Sequence, residues 1–158
     1  MNEPAPWAQS IHHIGRVVPD IEVAMAQLSA HYGVGWTPVR RYELEVRDEG
    51  REVRVAMSVA LSCDAPLYIE LFEEASGSPW TRRRGDPIHH LCYWVPDRVG
   101  EAERLMALGW HLEVTGVGPD EINGFCYLVG PDGMRMEPKS LDDPAAGAQP
   151  WLGGRSRS

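Results

Sequence analysis

Apolar residues recur along this chain in two periods, and the same succession of periods occurs twice. Short β-branched or aromatic runs at residues 11–18 and 88–95 predict strands. Each ends in Val-Pro-Asp, at Val18-Pro19-Asp20 and Val95-Pro96-Asp97. The proline halts the strand, and the aspartate suits a helix N-cap. Beyond Asp20, Ile21, Ala24, Met25, Leu28 and Tyr32 follow helical spacing up to Gly33. Beyond Asp97, Val99, Ala102, Leu105 and Met106 do the same before Gly109.

The rest of each half reads as an antiparallel meander. Alternating runs at 40–46 and 53–61, joined through Arg47-Asp48-Glu49-Gly50, precede a third strand at 67–73. Segments 110–115, 125–129 and 134–138 are the counterparts, with a turn at Gly130-Pro131-Asp132-Gly133. A shift of 77 positions lays Ile11-His12-His13-Ile14 on Ile88-His89-His90-Leu91 and one Val-Pro-Asp on the other, which indicates duplication. The predicted class is α+β: two β-α-β-β-β modules, residues 11–74 and 88–140, paired into an open barrel around a central cavity. Residues 1–10 are an N-terminal arm, 75–87 a Gly, Ser and Pro-bearing linker, and 141–158 a flexible tail.

A formal charge of −8 argues against a nucleic-acid or anionic-membrane surface. Arg82-Arg83-Arg84 is the local exception, read as a solvated connector or a contact for an anionic substrate. Three widely spaced cysteines, Cys63, Cys92 and Cys126, do not form a disulfide framework or a thiolate zinc motif. With no basic-then-apolar leader and no run of membrane-spanning length, the expectation is a cytoplasmic protein.

Side chains alternate across a strand, so the two histidines of each pair are expected on opposite faces. His13 groups with Ile11, Gly15 and Val17, His12 with Ile14 and Val18, and His90 with Cys92 and Trp94. Ile69 and Leu71 claim the helix-side face, which leaves Tyr68, Glu70 and Phe72 opposite. Met134 and Met136 likewise leave Arg135 and Glu137 opposite. If the helices cover the outside, His13, Glu70, His90 and Glu137 all project into the cavity. Two imidazoles and two carboxylates suit one divalent ion, Zn, Ni, Co, Mn or Fe(II), with positions left open for substrate. The plainer alternative, satisfied strand histidines and solvent-facing glutamates, holds for each residue alone; recurrence at equivalent places of a repeated module favours the ligand set.

Ile-His-His-Ile-Gly at 11–15, Tyr-Ile-Glu-Leu-Phe-Glu at 68–73, Ile-His-His-Leu-Cys-Tyr-Trp-Val at 88–95 and Gly-Met-Arg-Met-Glu-Pro at 133–138 resemble the vicinal-oxygen-chelate superfamily, in particular its glyoxalase I and methylmalonyl-CoA epimerase branch. The resemblance spans roughly 11–140 and implies His13, Glu70, His90 and Glu137 as metal ligands. It also implies an isomerase or lyase that stabilises an enolate or oxyanion of a substrate with adjacent oxygens, a carbonyl or a thioester. Glu137 is the implied proton-moving base, and the strand after the first helix offers Glu43 and Glu45 as a second carboxylate. Tyr68, Phe72, Trp94, Phe125, Tyr127 and Arg135 are candidate pocket residues, with Trp36 and Trp80 as further aromatic lining; core packing is the alternative for the aromatics. Other branches remain open: an Fe(II) dioxygenase, a cyclase or rrearranging enzyme of secondary metabolism, or a metal-free binding or resistance protein. A homodimer is expected.

Overall fold

The computed structural model describes residues 10–64, 67–82 and 87–141, with the backbone alone at Asn123. The expected arm up to residue 9, the tail from 142 and Arg83-Arg84 lie outside the described residues. The first half runs β1 (Ile11–Val18), α1 (Ile21–Tyr32), β2 (Arg40–Asp48), β3 (Arg51–Leu61) and β4 (Tyr68–Glu73). The second runs β5 (His90–Val95), α2 (Arg98–Ala107), β6 (His111–Gly116), a short α3 (Glu121–Gly124), β7 (Cys126–Val129) and β8 (Arg135–Ser140). The sequence pattern does not anticipate α3, which is a single turn too short for periodicity to register.

Local chemistry accounts for most boundaries. The Asp20 side chain accepts a 2.9 Å hydrogen bond from the Val23 N–H, and Gly33, at φ 71°, closes α1 by donating to the Ser29 carbonyl. Asp97 occupies the equivalent N-cap position but makes no side-chain cap bond; its carboxylate lies against Gly100 instead. Pairing of Asp48 with Arg51 leaves Glu49-Gly50 as a two-residue turn, both residues at positive φ, which matches the twist of a tight hairpin. Ile21, Ala24, Met25 and Leu28 pack beneath α1 as their spacing requires, whereas Tyr32 in its last turn is 77% exposed.

Strand order is β1-β4-β3-β2-β6-β7-β8-β5, and the ring closes. Within each half the first and last strands pair in parallel, β1 with β4 and β5 with β8. The halves meet along two antiparallel seams, β1 with β5 and β2 with β6. The second seam carries three residue pairs, Val46 with Gly116 through Asp48 with Val114, and turns the expected open barrel into a closed one. Both main helices lie outside, α1 over Ile69 and Leu71, α2 over Cys126 and Leu128.

The barrel interior is a third core, of Val46, Val55, Met57, Val59, Phe72, Val114 and Tyr127 around Trp80. Trp80 is 1% exposed and comes from the segment read as a mere linker. That segment is a built turn: Ala75 N–H donates to the Trp80 carbonyl, and Ser78 and Thr81 hydroxyls donate to the Ala75 and Ser78 carbonyls. Its product is an indole stacked on Phe125 at 6.2 Å between ring centres, with Phe72 at 5.9 Å and Tyr127 at 6.0 Å. Trp36 sits outside the barrel, its Nε1 donating to the Met25 carbonyl and the Ser29 hydroxyl. All three cysteines are free thiols. No described helix is long and apolar enough to cross a membrane.

Candidate metal centre

His13 and His90, duplicates 77 residues apart, meet with their Nε2 atoms 3.0 Å from each other. Alternation on β1 and β5 aims both inward, and the β1–β5 seam sets Gly15 opposite His90. The absent side chain at Gly15 is what admits the His90 imidazole: a Cβ there would lie 2.1 Å from its Cε1. Glu70, in register with Gly15 on β4, brings Oε2 to 2.9 Å from His13 Nε2 and 3.8 Å from His90 Nε2. Glu137, in register with Cys92 on β8, brings Oε2 to 3.4 and 3.2 Å from the same two nitrogens.

These four side chains each offer one donor atom within 4.8 Å of the others. Donors bound to one ion at about 2.1 Å lie ~3.0 Å apart at right angles and ~3.4 Å apart in a tetrahedron; the separations of 2.9, 3.0, 3.2 and 3.4 Å match such edges, and that of Glu70 from His90, 3.8 Å, is wider. The set fits a divalent cation in charge as well, since two half-buried carboxylates match its two positive charges. Burial lowers the His90 imidazole from its usual value. Burial acts the other way on Glu137, but its contacts with the inner imidazoles prevail and hold its carboxyl well below the usual range.

The first histidine of each pair is not on the opposite face. On β1 the register slips between Ile11 and His13, so that His12 is an extra residue opposite one step of β5. Such a bulge turns His12 inward beside His13, against the rings of Tyr68 at 5.2 Å and Trp94 at 5.0 Å. His89 precedes β5 and escapes strand alternation altogether. Each partner histidine reaches the Nδ1 of its neighbour: 2.8 Å from His12 Nδ1 to His13 Nδ1, 2.9 Å from His89 Nδ1 to His90 Nδ1. Burial holds both outer imidazoles neutral, pushing His12 down to about 4 and His89 to about 2.

Several expected site residues lie elsewhere. Glu43 and Glu45 point away from the barrel, 63% and 59% exposed, toward Arg54, because Leu44 and Val46 take the inward positions of β2. Both therefore lie on the face of β2 opposite the one that Tyr42, Leu44 and Val46 turn inward. Phe72, Phe125 and Tyr127 fill the barrel around Trp80 in place of lining a cavity. Arg135 faces inward but is committed to Glu113, at 2.5 and 2.8 Å, to the His89 carbonyl and to the Tyr127 ring. Tyr68 and Trp94 flank the centre through His12. Two residues not anticipated join them: Lys139, its ammonium 5.6 Å from the Trp94 ring centre, and Tyr42, inward on β2, whose phenol is pushed up by burial and then by Glu70. Their signal was available, since Lys139 is two residues beyond Glu137 and Tyr42 two before Leu44.

The sequence profile of the Glyoxalase/Bleomycin resistance protein/Dioxygenase superfamily matches residues 12–129. The chain belongs to that superfamily. Among solved structures, this superfamily member is similar to the methylmalonyl-CoA epimerase of Mycobacterium tuberculosis, at 18% identity and TM-score 0.57, over 94% of this chain and 97% of the other. It is similar to a variant Streptomyces coelicolor methylmalonyl-CoA epimerase in complex with 2-nitronate-propionyl-CoA, at 19% identity and TM-score 0.57, over 84% and 98%. At such identities the likeness establishes the fold. No curated protein matches the chain by sequence.

Proposed function

We propose that this superfamily member is a metal-dependent isomerase or lyase that moves a proton beside the carbonyl of a small substrate. The observation that carries the reading is the convergence of His13, Glu70, His90 and Glu137, two from each half, on one point. One divalent ion held by them supplies a Lewis acid that draws electron density from a carbonyl oxygen. The protein's share is to hold the reacting carbon, limit water and shuttle the proton. Trp80 and its ring neighbours fill the barrel interior, so the substrate stands at the mouth, between Tyr42, Tyr68, Trp94 and Lys139.

Glu137 is our candidate base, as the exposed Glu43 and Glu45 face away from the barrel and pair with Arg54. The hydrogen bonds that depress its carboxyl come from imidazole N–H groups. Imidazoles that turn bare nitrogens to an ion make no such bonds, and a bound ion would itself hold the carboxylate down, so Glu137 would act as base on leaving the ion, where burial raises its basicity. Lys139 gives the mouth a positive charge in an otherwise acidic chain, which suits a carboxylate or other anionic substituent. The complexes of the epimerase neighbours, with 2-nitronate-propionyl-CoA and with methylmalonyl-CoA, support thioesters as first candidates.

The test is exchange of the α-proton of methylmalonyl-CoA and of simpler α-branched acyl thioesters and ketones in deuterated water, followed by mass spectrometry, with Co(II), Zn(II), Ni(II), Mn(II) or Fe(II). Exchange that needs the metal and is lost in Glu137→Gln supports the proposal. Tight metal binding without exchange on any of these substrates removes the proton-transfer reading.

A further inference from the structure

Two histidines that are not ligands carry the chemistry of the inner pair, and only one of them is tied to the backbone. His89 Nε2 lies 2.8 Å from the Pro79 carbonyl oxygen, in the segment that delivers Trp80. A carbonyl oxygen only accepts, so His89 Nε2 carries a proton. The two Nδ1 atoms of His89 and His90, 2.9 Å apart, share one more. Were it on His89, that ring would be a cation packed between Phe72 and Tyr127, with the Arg135 guanidinium already bound to its own carbonyl. That pocket refuses a cation: its rings are apolar, and the one carboxylate beside Arg135, Glu113, is already spent on the guanidinium. The proton therefore sits on His90 Nδ1, and in the neutral ring His90 Nε2, 3.0 Å from His13 Nε2 and 3.2 Å from Glu137, is left with a bare lone pair, so that of the two inner imidazoles His13 is the one able to donate to Glu137.

We infer that His89 is a positioning residue, which relays the Pro79 carbonyl of the inter-module segment to His90 and so fixes the tautomer in which His90 presents an unprotonated Nε2 to the centre. The first half lacks the anchor. His12 makes the same Nδ1 to Nδ1 contact with His13, but its Nε2 is buried and makes no hydrogen bond. The duplicated dipeptides have thus diverged in role: the linker dictates one ligand's proton pattern, while no backbone carbonyl dictates the other's. The relay stands on geometry alone; its consequence for ion affinity rests on the metal reading above. Loss of such an outer partner typically weakens metal affinity ~10–100-fold.

The experiment uses the full chain, with two substitutions. In His89→Phe the acceptor for His90 Nδ1–H is gone; in His89→Asn the side-chain amide oxygen restores an acceptor near the same place. Co(II) and Zn(II) affinities are measured by chelator competition, and long-range proton–nitrogen correlation spectra of metal-free protein report which His90 nitrogen bears hydrogen. The expected result is protonated Nδ1 and bare Nε2 on His90 in the wild type, a ~10–100-fold affinity loss in His89→Phe, and substantial recovery in His89→Asn. A metal-free wild type with hydrogen on His90 Nε2 alone, or a folded His89→Phe that binds Co(II) as the wild type does, overturns the relay. A wild type that binds no divalent ion overturns the metal reading, and the nitrogen spectrum by itself then decides the relay.

Discussion

Gly15→Ala isolates the contact on which the candidate centre depends. Gly15 has ordinary strand backbone, so alanine incurs no conformational penalty there and, elsewhere in a strand, would gain ~0.5–1 kcal/mol over glycine. At this position the new Cβ falls 2.1 Å from Cε1, 2.4 Å from Nδ1 and 2.7 Å from Nε2 of His90. Carbon contacts settle near 3.5–4.0 Å, which requires the ring to retreat by more than ~1 Å. A fully buried ring has no free space to enter, so the cost is that of overpacking, about 1–3 kcal/mol. Ligand bonds tolerate roughly ±0.2 Å, and a displacement of that size removes His90 from the donor set. Thermal melts and Co(II) titrations should therefore show both a lower melting temperature and a metal affinity down by at least ~10–100-fold. The decisive arm is a double-mutant cycle. In a His90→Ala background the ring is gone, and Gly15→Ala should become neutral or stabilising. An equal cost in both backgrounds, or metal binding unchanged in Gly15→Ala, refutes the packing argument.

Four further outcomes are expected. Trp80→Ala should destabilise by ~3–5 kcal/mol in urea titrations, because it empties the barrel centre, and a loss under 1 kcal/mol would mean the indole is no plug. Arg135→Met or Glu113→Gln alone should cost ~3–5 kcal/mol and the pair together clearly less, since either one strands a buried charge; additive losses would contradict this. Burial pushes the Cys92 and Cys126 thiols up to about 11 and about 12, so native protein at pH 8 should titrate one thiol with a disulfide reagent, exposed Cys63, and denatured protein three. His89 is depressed from 6.5 to about 2, so its contribution is whole above pH 6.5 and is lost as pH falls toward 2, at about 1.4 kcal/mol per pH unit. Urea midpoints of wild type and His89→Phe between pH 7 and 5 should differ in slope by about one proton, and parallel slopes would show that His89 titrates normally.

The parts of this molecule legible in its sequence are those governed by short periods. Two-residue alternation put Glu70 with Tyr68 and Phe72, and Glu137 with Arg135, on the inner face, where the structure has them. The same rule, applied to Leu44 and Val46, already sends Glu43 and Glu45 outward, and family analogy was the poorer guide there. What period cannot carry is an inserted residue. The slip at His12 reverses its face without any change in composition, and His89 lies just outside the strand whose alternation was applied to it. The segment 75–82 misleads for a related reason. Its Gly, Ser and Pro content marks a turn correctly, but not that the turn exists to insert Trp80 among rings contributed by both halves.

The two halves meet as equals at the four donors and as unequals around them, and that inequality gives the centre a direction. On the His89 side every layer is occupied: Pro79 holds the outer histidine, Arg135 and Glu113 lock beneath its carbonyl, and Trp80 with Phe125 and Tyr127 closes the space beyond. On the His12 side the neighbours are half-buried Tyr68 and Trp94 and the ammonium of Lys139. A symmetric pair of modules would offer a ligand two equivalent approaches and discriminate neither face of a prochiral carbon. With one half plugged and the other lined with aromatic faces and the Lys139 ammonium, the chain keeps the symmetry of the four donors while offering a bound molecule one approach, and for the proton transfer proposed above such an approach would present one face of the reacting carbon to Glu137.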